Sequence, residues 1–106
     1  MTAQACLVIT TTADEASARA MAASLLQQKL AACVQIFPVE SHYVWDGTVQ
    51  QDKEFALHIK TRTPLYAELE KAILAIHSYE TPEIICLPVT EGHSAYLEWI
   101  GKITAR

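Results

Sequence analysis

The dipeptide Asp46-Gly47 constrains this chain more than any other feature of its sequence. It stands between residues 33–45 and 48–62, two long segments that are expected to be extended. Asp-Gly is a strong signal for a two-residue hairpin turn, because both central positions of that turn favour positive φ angles. The sequence therefore predicts one long antiparallel hairpin over residues 33–62.

The turn also fixes which residues of the two strands face each other. Counting outward from it places apolar residues opposite apolar residues and an acidic residue opposite a basic one. The predicted pairs are Trp45 with Thr48, Glu40 with Lys53, Ile36 with Leu57, and Val34 with Ile59. The turn chemistry and the apolar pattern thus agree on one register. Because Pro38 has no N–H to donate, its strand is expected at an edge of the sheet.

The other face of the hairpin carries a mixed set of side chains. The cross-strand pairs there are Cys33 with Lys60, Gln35 with His58, Phe37 with Ala56, and Val39 with Glu54. At the usual rise per residue each strand extends roughly 45 Å, whereas a domain of this length has a radius of gyration of roughly 13 Å. Tyr43 and Trp45, near the tip, should therefore project beyond the domain and contact a partner.

Shorter segments on both sides of the hairpin complete the fold. Residues 5–11 and 83–89 are short and apolar, which is typical of strands covered on both faces. With the helical patterns between and after them, the order is β-α-β-β-α-β-α. That order predicts an α+β fold, a ferredoxin-like βαββαβ sandwich with a C-terminal helix, in one domain over residues 1–106. The helices would cover one face of an antiparallel sheet, and the other face would be left bare.

The helix boundaries are predicted from local capping signals. Thr12 and Glu15 have the spacing of a capping box, and the first helix is expected to run from there to about Ala32. Thr63, followed by proline, opens the second helix. Ser94 can cap the third.

Composition and charge narrow the class of function. The chain has 106 residues, of which 51% are hydrophobic, and its net charge is −4. So apolar a composition in so small a domain indicates that some apolar surface is buried against another subunit. The negative charge and the scattered basic residues argue against nucleic acid as a partner. No apolar run reaches the length of about 18 residues that a membrane span requires.

The remaining sequence signals give no indication of catalysis or secretion. Cys6, Cys33 and Cys86 lie in apolar segments without CxxC spacing, which indicates reduced, buried thiols rather than ligands or nucleophiles. No phosphate-cradling glycine loop and no Ser-His-Asp or Cys-His arrangement is present, so we predict that the protein is not an enzyme. The N-terminus lacks a basic segment before its apolar run, which favours a cytoplasmic location.

Five short segments resemble the CutA family, the divalent-cation tolerance proteins. They are KLAACV (29–34), YVWDGT (43–48), IKT (59–61), YETPEI (79–84) and LPVTEG (87–92). The resemblance implies a ferredoxin-like fold and a tight homotrimer, in which the bare sheet faces line an inner barrel and the hairpins reach across to neighbours. It also implies a role in metal tolerance with copper binding and no established reaction. On this resemblance we predict a non-enzymatic homotrimer associated with the response to divalent metal ions, copper in particular.

The residues that would hold copper in such a family are mostly replaced here. Some members have a cysteine near the end of the first strand and a His-His pair before the proline-containing loop. The corresponding residues of this chain are Thr10 and the pair Ile76-His77. Because copper and zinc sites need thiolate and imidazole ligands, His77 alone predicts at most a weak metal site. No cofactor is expected with certainty, and a divalent ion such as copper would bind weakly.

The segment HSYETPEI, residues 77–84, is predicted to be a shaped connection at a cleft between subunits. Tyr79 should bury its ring and reach a partner with its phenol, and Glu83 should enter the sheet beside Lys60. An alternative function is that of a regulatory trimer similar to the PII proteins, with a small anionic ligand in this cleft. The predicted ligand-binding residues are Lys60, Tyr79, Glu80, Glu83 and a neighbour's Trp45.

Four residues are predicted to lie in the trimer interface. They are Tyr43, Trp45, Phe37 and His58, and aromatic side chains of this kind are enriched in interface centres. His58 has two interpretations. It either forms a hydrogen bond with Gln35 across the hairpin, or it meets its two symmetry copies in a threefold site for a metal or an anion.

Overall fold

The sheet of this protein has four strands in the order β2-β3-β1-β4, and every neighbouring pair is antiparallel. The structure is a computed structural model that describes residues 4–106, so the first three residues of the predicted domain lie outside the described part. The elements in chain order are β1 (Ala5–Thr12), α1 (Glu15–Gln27), β2 (Cys33–Trp45), β3 (Thr48–Arg62), α2 (Tyr66–Ile76), β4 (Ile84–Pro88) and α3 (Ser94–Ile103). The predicted α+β, ferredoxin-like fold is confirmed.

The long hairpin forms as the sequence predicts. Asp46 and Gly47 adopt φ angles of 51° and 73°, the left-handed conformations that a tight hairpin turn requires. Every predicted cross-strand pair is present, from Trp45 opposite Thr48 to Cys33 opposite Lys60. Strand β2, which contains Pro38, lies at an edge of the sheet. The hairpin gives the molecule a long dimension of 47 Å against 26 and 22 Å in the other two directions.

One face of the sheet is covered by α1 and α2. Leu57 and Ile59 point from β3 into this layer and are fully buried. They pack against apolar side chains that recur at helical spacing, among them Met21, Leu25 and Leu69. The main hydrophobic core of the chain therefore lies between this face of the sheet and the two helices.

The two ends of α1 differ from the prediction. Asp14, not Thr12, is the cap residue, and its Oδ1 accepts a hydrogen bond of 2.7 Å from the backbone N–H of Ser17. The helix ends at Gln27 instead of near residue 32. Lys29 then takes a positive φ of 58°, which turns the chain so that Leu30 enters the core. The apolar pattern continues past the true end of the helix because Leu30 is buried from a loop.

The starts of the other two helices also lack the predicted side-chain caps. A short 3-10 turn, Thr63–Leu65, precedes α2, and neither α2 nor α3 has a side-chain hydrogen bond at its cap residue. Proline at the start of the 3-10 turn supplies the favourable φ angle instead. Each of the helices in residues 4–106 is too short or too polar to cross a membrane.

The opposite face of the sheet is only partly covered. Ile100 of α3 packs against Ala5 and Ala32 at one end of it, and Arg62 donates hydrogen bonds to Thr104 there. The rest, which we call the open face, exposes apolar side chains of β2 and β4 to solvent. They are Phe37, Ile85 and Leu87.

The prediction that β4 is covered on both faces is wrong within this chain. Four of its five residues are exposed, because it lies at an edge and neither α3 nor the hairpin reaches over it. Cys86 of β4 is exposed, and Cys33, at the start of the other edge strand β2, is half-buried, so of the three thiols only Cys6 is buried as predicted. Burial, with a smaller effect from the neighbouring Cys86 thiol, raises the pKa of the Cys6 thiol to about 12.

Candidate functional site

His77 begins the connection between α2 and β4, and both of its ring nitrogens are engaged. Nε2 lies 2.8 Å from the backbone oxygen of Thr11, and the backbone N–H of Tyr79 donates to Nδ1 at 3.1 Å. Because a carbonyl oxygen only accepts and an N–H only donates, the ring is the neutral tautomer with its proton on Nε2. The one lone pair of this imidazole is already used. The connection therefore holds His77 as a structural residue.

Tyr79 reaches from the same connection to β3. Its phenol donates a hydrogen bond of 2.7 Å to Oε2 of Glu54, whose exposed fraction is only 8%. Burial and this bond together hold the pKa of Tyr79 far above its ordinary value. The predicted hydrogen-bond partner of the Tyr79 phenol is therefore Glu54 of the same chain.

These groups border a cavity of about 580 Å³ beneath the hairpin tip, which we call the tip cavity. Aromatic rings come from the hairpin and from residue 79, and carboxylates come from β3 and from the connection after α2. The lining residues are Thr11, Tyr43, Trp45, Glu54, Tyr79, Glu80, Thr81, Pro82 and Glu83. Four of the five predicted ligand-binding residues therefore lie together, and the Trp45 among them belongs to the same chain and not to a neighbour.

Lys60 is the exception, and its predicted pairing with Glu83 is wrong within the chain. Strand β1 lies between β3 and β4, so the two residues are not on neighbouring strands. Lys60 pairs with Leu7, whereas Ile84, next to Glu83, pairs with Thr10. Three residues of strand amount to roughly 10 Å along the sheet. Lys60 instead places its Nζ 5.5 Å from the ring centroid of Tyr96.

The lining of the tip cavity is negatively charged. Glu54, Glu80 and Glu83 all contribute to it, while the described residues contribute no lysine, arginine or histidine. A fourth carboxylate, that of Asp52, accepts a hydrogen bond from the phenol of Tyr43 at the rim. This bond raises the pKa of Tyr43 above its ordinary value. The lining that one chain supplies is therefore acidic, and the small anion predicted for the cleft between subunits stays a prediction.

Glu54 and Asp52 are the site residues that sequence reasoning missed. Both lie on the same side of β3 as Ala56, in alternating positions of the hairpin. The register already placed Glu54 opposite Val39, on the mixed face. The register does not show that Tyr79 lies near Glu54, because that contact depends on the path of the connection after α2.

The interface candidates Phe37 and His58 lie side by side on the open face. Their rings are 4.6 Å apart and nearly perpendicular, at 86°, an edge-to-face contact. The predicted hydrogen bond between His58 and Gln35 is not among those of the described residues. His58 therefore contacts the ring of Phe37, and the interpretation that it bonds to Gln35 does not hold within the described chain.

The side chains that residues 4–106 bring together do not fit a tight copper site. Thr10, which stands where a cysteine ligand was expected, is fully buried, and its Oγ1 has no hydrogen-bond partner in the chain as described. His77 has no free lone pair. Within residues 4–106, no three His, Cys, Asp or Glu side chains lie close enough together to hold a metal ion.

The comparisons with known proteins agree on one family. The profile of the family described as "CutA1 divalent ion tolerance protein" matches residues 6–103. The "Divalent-cation tolerance protein CutA" of Thermus thermophilus is 40% identical over 99 residues, which is 92% of this chain and 96% of that protein. "Protein CutA, chloroplastic" of Arabidopsis thaliana is 44% identical over 99 residues, or 92% of this chain but only 54% of that protein.

The fold agrees with the same family. The crystal structure of CutA1 from Oryza sativa superposes with a TM-score of 0.93 at 42% sequence identity, and the match covers 99% of this chain and 96% of that one. The profile match and the identities both extend over nearly the whole sequence. The chain therefore belongs to the CutA1 divalent ion tolerance family.

Proposed function

We propose that this protein is a non-enzymatic homotrimer that acts in the tolerance of divalent cations, copper among them. The observation that carries the proposal is the open face. Phe37 is 37% exposed and Leu87 is 41% exposed, and both lie on the side of the sheet opposite α1 and α2. Several large apolar side chains exposed on one face of a sheet are typical of an interface. The tip residues Tyr43 and Trp45 extend that surface along the hairpin.

A ring fits this surface better than a two-fold dimer does. The sheet has two different free edges, β2 on one side and β4 on the other. Free edges invite pairing with another chain. If β2 of one subunit meets β4 of the next, the contact is head-to-tail, and such contacts form a ring when the rotation between subunits closes and a filament when it does not. Three copies would bring the three open faces together around one axis, as the family resemblance implies.

The assembly is tested by light scattering on a matched pair of variants. Leu87→Glu places a charge on the open face, whereas Leu74→Glu places the same charge on the exposed side of α2, where Leu74 is 50% exposed. We expect the unmodified protein and Leu74→Glu to have the mass of three chains and Leu87→Glu to have a smaller mass. A folded monomer of the unmodified protein at micromolar concentration would refute the proposal.

The cation role is tested in a bacterial strain that lacks its own member of the family. Expression of this protein should restore growth at raised copper concentration, and Leu87→Glu should restore less if assembly is required. Equal growth with and without the protein would contradict the proposed role. The cytoplasmic location remains a prediction.

A further inference from the structure

We propose that His58 makes assembly of this protein depend on pH, because the assembled form requires its imidazole to be neutral. This inference rests on the proposed trimer, since it needs the open face to be covered by other copies of the chain. His58 lies on that face of β3, between Gln35 of β2 on one side and Ile9 of β1 on the other. In the single chain it is half-buried, so further burial is still possible.

The side chains around His58 are mostly apolar. The ring of Phe37 contacts it edge to face at 4.6 Å. Ile85 of β4 lies opposite Ile9, in the same row across the sheet, and is 47% exposed. If another subunit covers this row, the imidazole loses its remaining water together with these side chains. Burial of that kind disfavours the protonated form of a histidine.

No acidic side chain beside His58 offsets this cost within the described part of the chain. The ion pairs of residues 4–106 are formed by the cationic groups of Arg19, His42 and Arg106 instead. The next residue of β3 on the same face is Lys60, a like charge. Glu54 lies four residues away along the strand, roughly 13 Å, and its carboxylate accepts the hydrogen bond of Tyr79.

The other elements around the open face add few charges. Beside His58, β2 and β1 present amide and hydrocarbon groups, and the ring of Tyr96 on α3 lies near Lys60. Other copies of the chain would present the same face, so the groups that meet His58 in the assembly come from one set. Its titratable and charged members are Cys33, Glu54, Lys60, Arg62, Glu83 and Tyr96.

The direction of the pH effect follows from these surroundings. Imidazole is the side chain that ordinarily gains its proton between pH 5 and 8. As the pH falls through this range, separate subunits bind protons that the assembled form excludes, and the association constant therefore decreases. One excluded proton per chain corresponds to a decrease of up to about 1,000-fold per pH unit for three chains. Carboxylates titrate near pH 4, below this window.

The test is sedimentation equilibrium of the intact protein at pH about 8 and about 5.5, at constant ionic strength. His58→Leu replaces the imidazole with an apolar side chain that cannot be charged. His93→Gln removes an exposed histidine at the start of α3 and serves as the control. We expect the unmodified protein and His93→Gln to dissociate at the lower pH, whereas His58→Leu keeps the mass of three chains at both.

The outcomes separate this inference from the proposed trimer. A monomer of the unmodified protein at pH about 8 would refute the trimer and the inference with it. A trimer of equal association constant at both pH values would overturn the inference alone, and so would equal dissociation of His58→Leu.

A proton count tests the same point if His58→Leu fails to fold or assemble. Calorimetric dilution of the unmodified protein near pH 6.5, in two buffers of different ionisation enthalpy, measures the protons bound when subunits separate. We expect net proton uptake on dissociation, and the control His93→Gln should show the same uptake. Dissociation without proton uptake would overturn the proposal.

Discussion

The two faces of the sheet are built from the same strands but are completed in different ways. Leu57 points into the helix-covered face and is fully buried, whereas Phe37, on the neighbouring strand, points to the open face and is 37% exposed. Both are large apolar residues. The difference lies in what the chain itself supplies to cover them: two helices on one side, and only the end of α3 on the other.

This difference separates the stability of the chain from the stability of its assembly. Burial on the helix-covered face contributes to folding of a single chain, since every partner is in the same chain. Burial on the open face contributes only when another surface covers it. Substitutions on the two faces should therefore differ in how their effects depend on protein concentration.

Leu57→Ala should have the largest effect. Removal of a fully buried leucine side chain leaves a cavity, and the free energy of unfolding should fall by about 4 kcal/mol. Denaturant titration at two protein concentrations measures the loss. Phe37→Ala is the matched variant on the other face, and its loss should grow with protein concentration while that of Leu57→Ala stays constant. If both losses of unfolding free energy change with protein concentration in the same way, burial on the open face does not depend on assembly.

Trp45→Ala should weaken assembly more than it weakens the chain. A buried aromatic anchor in an interface contributes roughly 2–4 kcal/mol to association, and Trp45 is exposed in the single chain. The dissociation constant from analytical ultracentrifugation measures the effect. An unchanged constant, together with unchanged thermal stability, would mean that the hairpin tip contributes nothing to the interface.

Gly47→Val should cost about 1–2 kcal/mol of stability, because a β-branched residue is strained at positive φ. An added Cβ would meet no atom within 4 Å, so the effect is one of backbone conformation and not of crowding. Gly47→Asn is the control, since asparagine tolerates this conformation. Thermal unfolding of both variants measures the difference. Equal melting temperatures would indicate that the tip adopts another turn.

The smallest expected effect is that of His77→Ala, which should leave metal binding unchanged. Both ring nitrogens of His77 are already hydrogen-bonded to the backbone, and Thr10 and Ile76 provide no soft ligand to act with it. Copper affinity measured by competition with a chromogenic chelator should be unchanged, while stability falls by about 1–2 kcal/mol through the lost hydrogen bonds. Loss of tight, stoichiometric copper binding would show that another subunit completes a site with His77.

The parts of this protein that sequence reasoning predicted correctly depend on local chemistry. The hairpin register follows from Asp46-Gly47 and from the alternation of side chains, both of which lie within one stretch of chain. The same holds for Pro38 at the edge. The end of α1 was placed too late, because Leu30 continues the helical apolar pattern although a residue of positive φ, Lys29, has already ended the helix.

The candidate site was predicted only in part for a related reason. Tyr79, Glu80 and Glu83 are close in sequence, and they do lie together. The sequence predicts Lys60 beside Glu83, whereas β1 lies between β3, which carries Lys60, and β4, which follows Glu83. Glu54 was not included, because nothing local indicates that Tyr79 crosses to it.

The sequence by itself determined the periodicities, the turn and the register, because each is decided by the φ preferences and side-chain alternation of neighbouring residues. It also placed Thr10 and Ile76 at the positions where the family resemblance implies soft ligands for copper. Only the tertiary structure decided which distant residues meet: Tyr79 with Glu54, Lys60 with Tyr96, and His77 with the backbone of Thr11. Those contacts depend on strand order and on the paths of the connections, which are set by the lowest free energy of the whole packed chain and not by any segment of it.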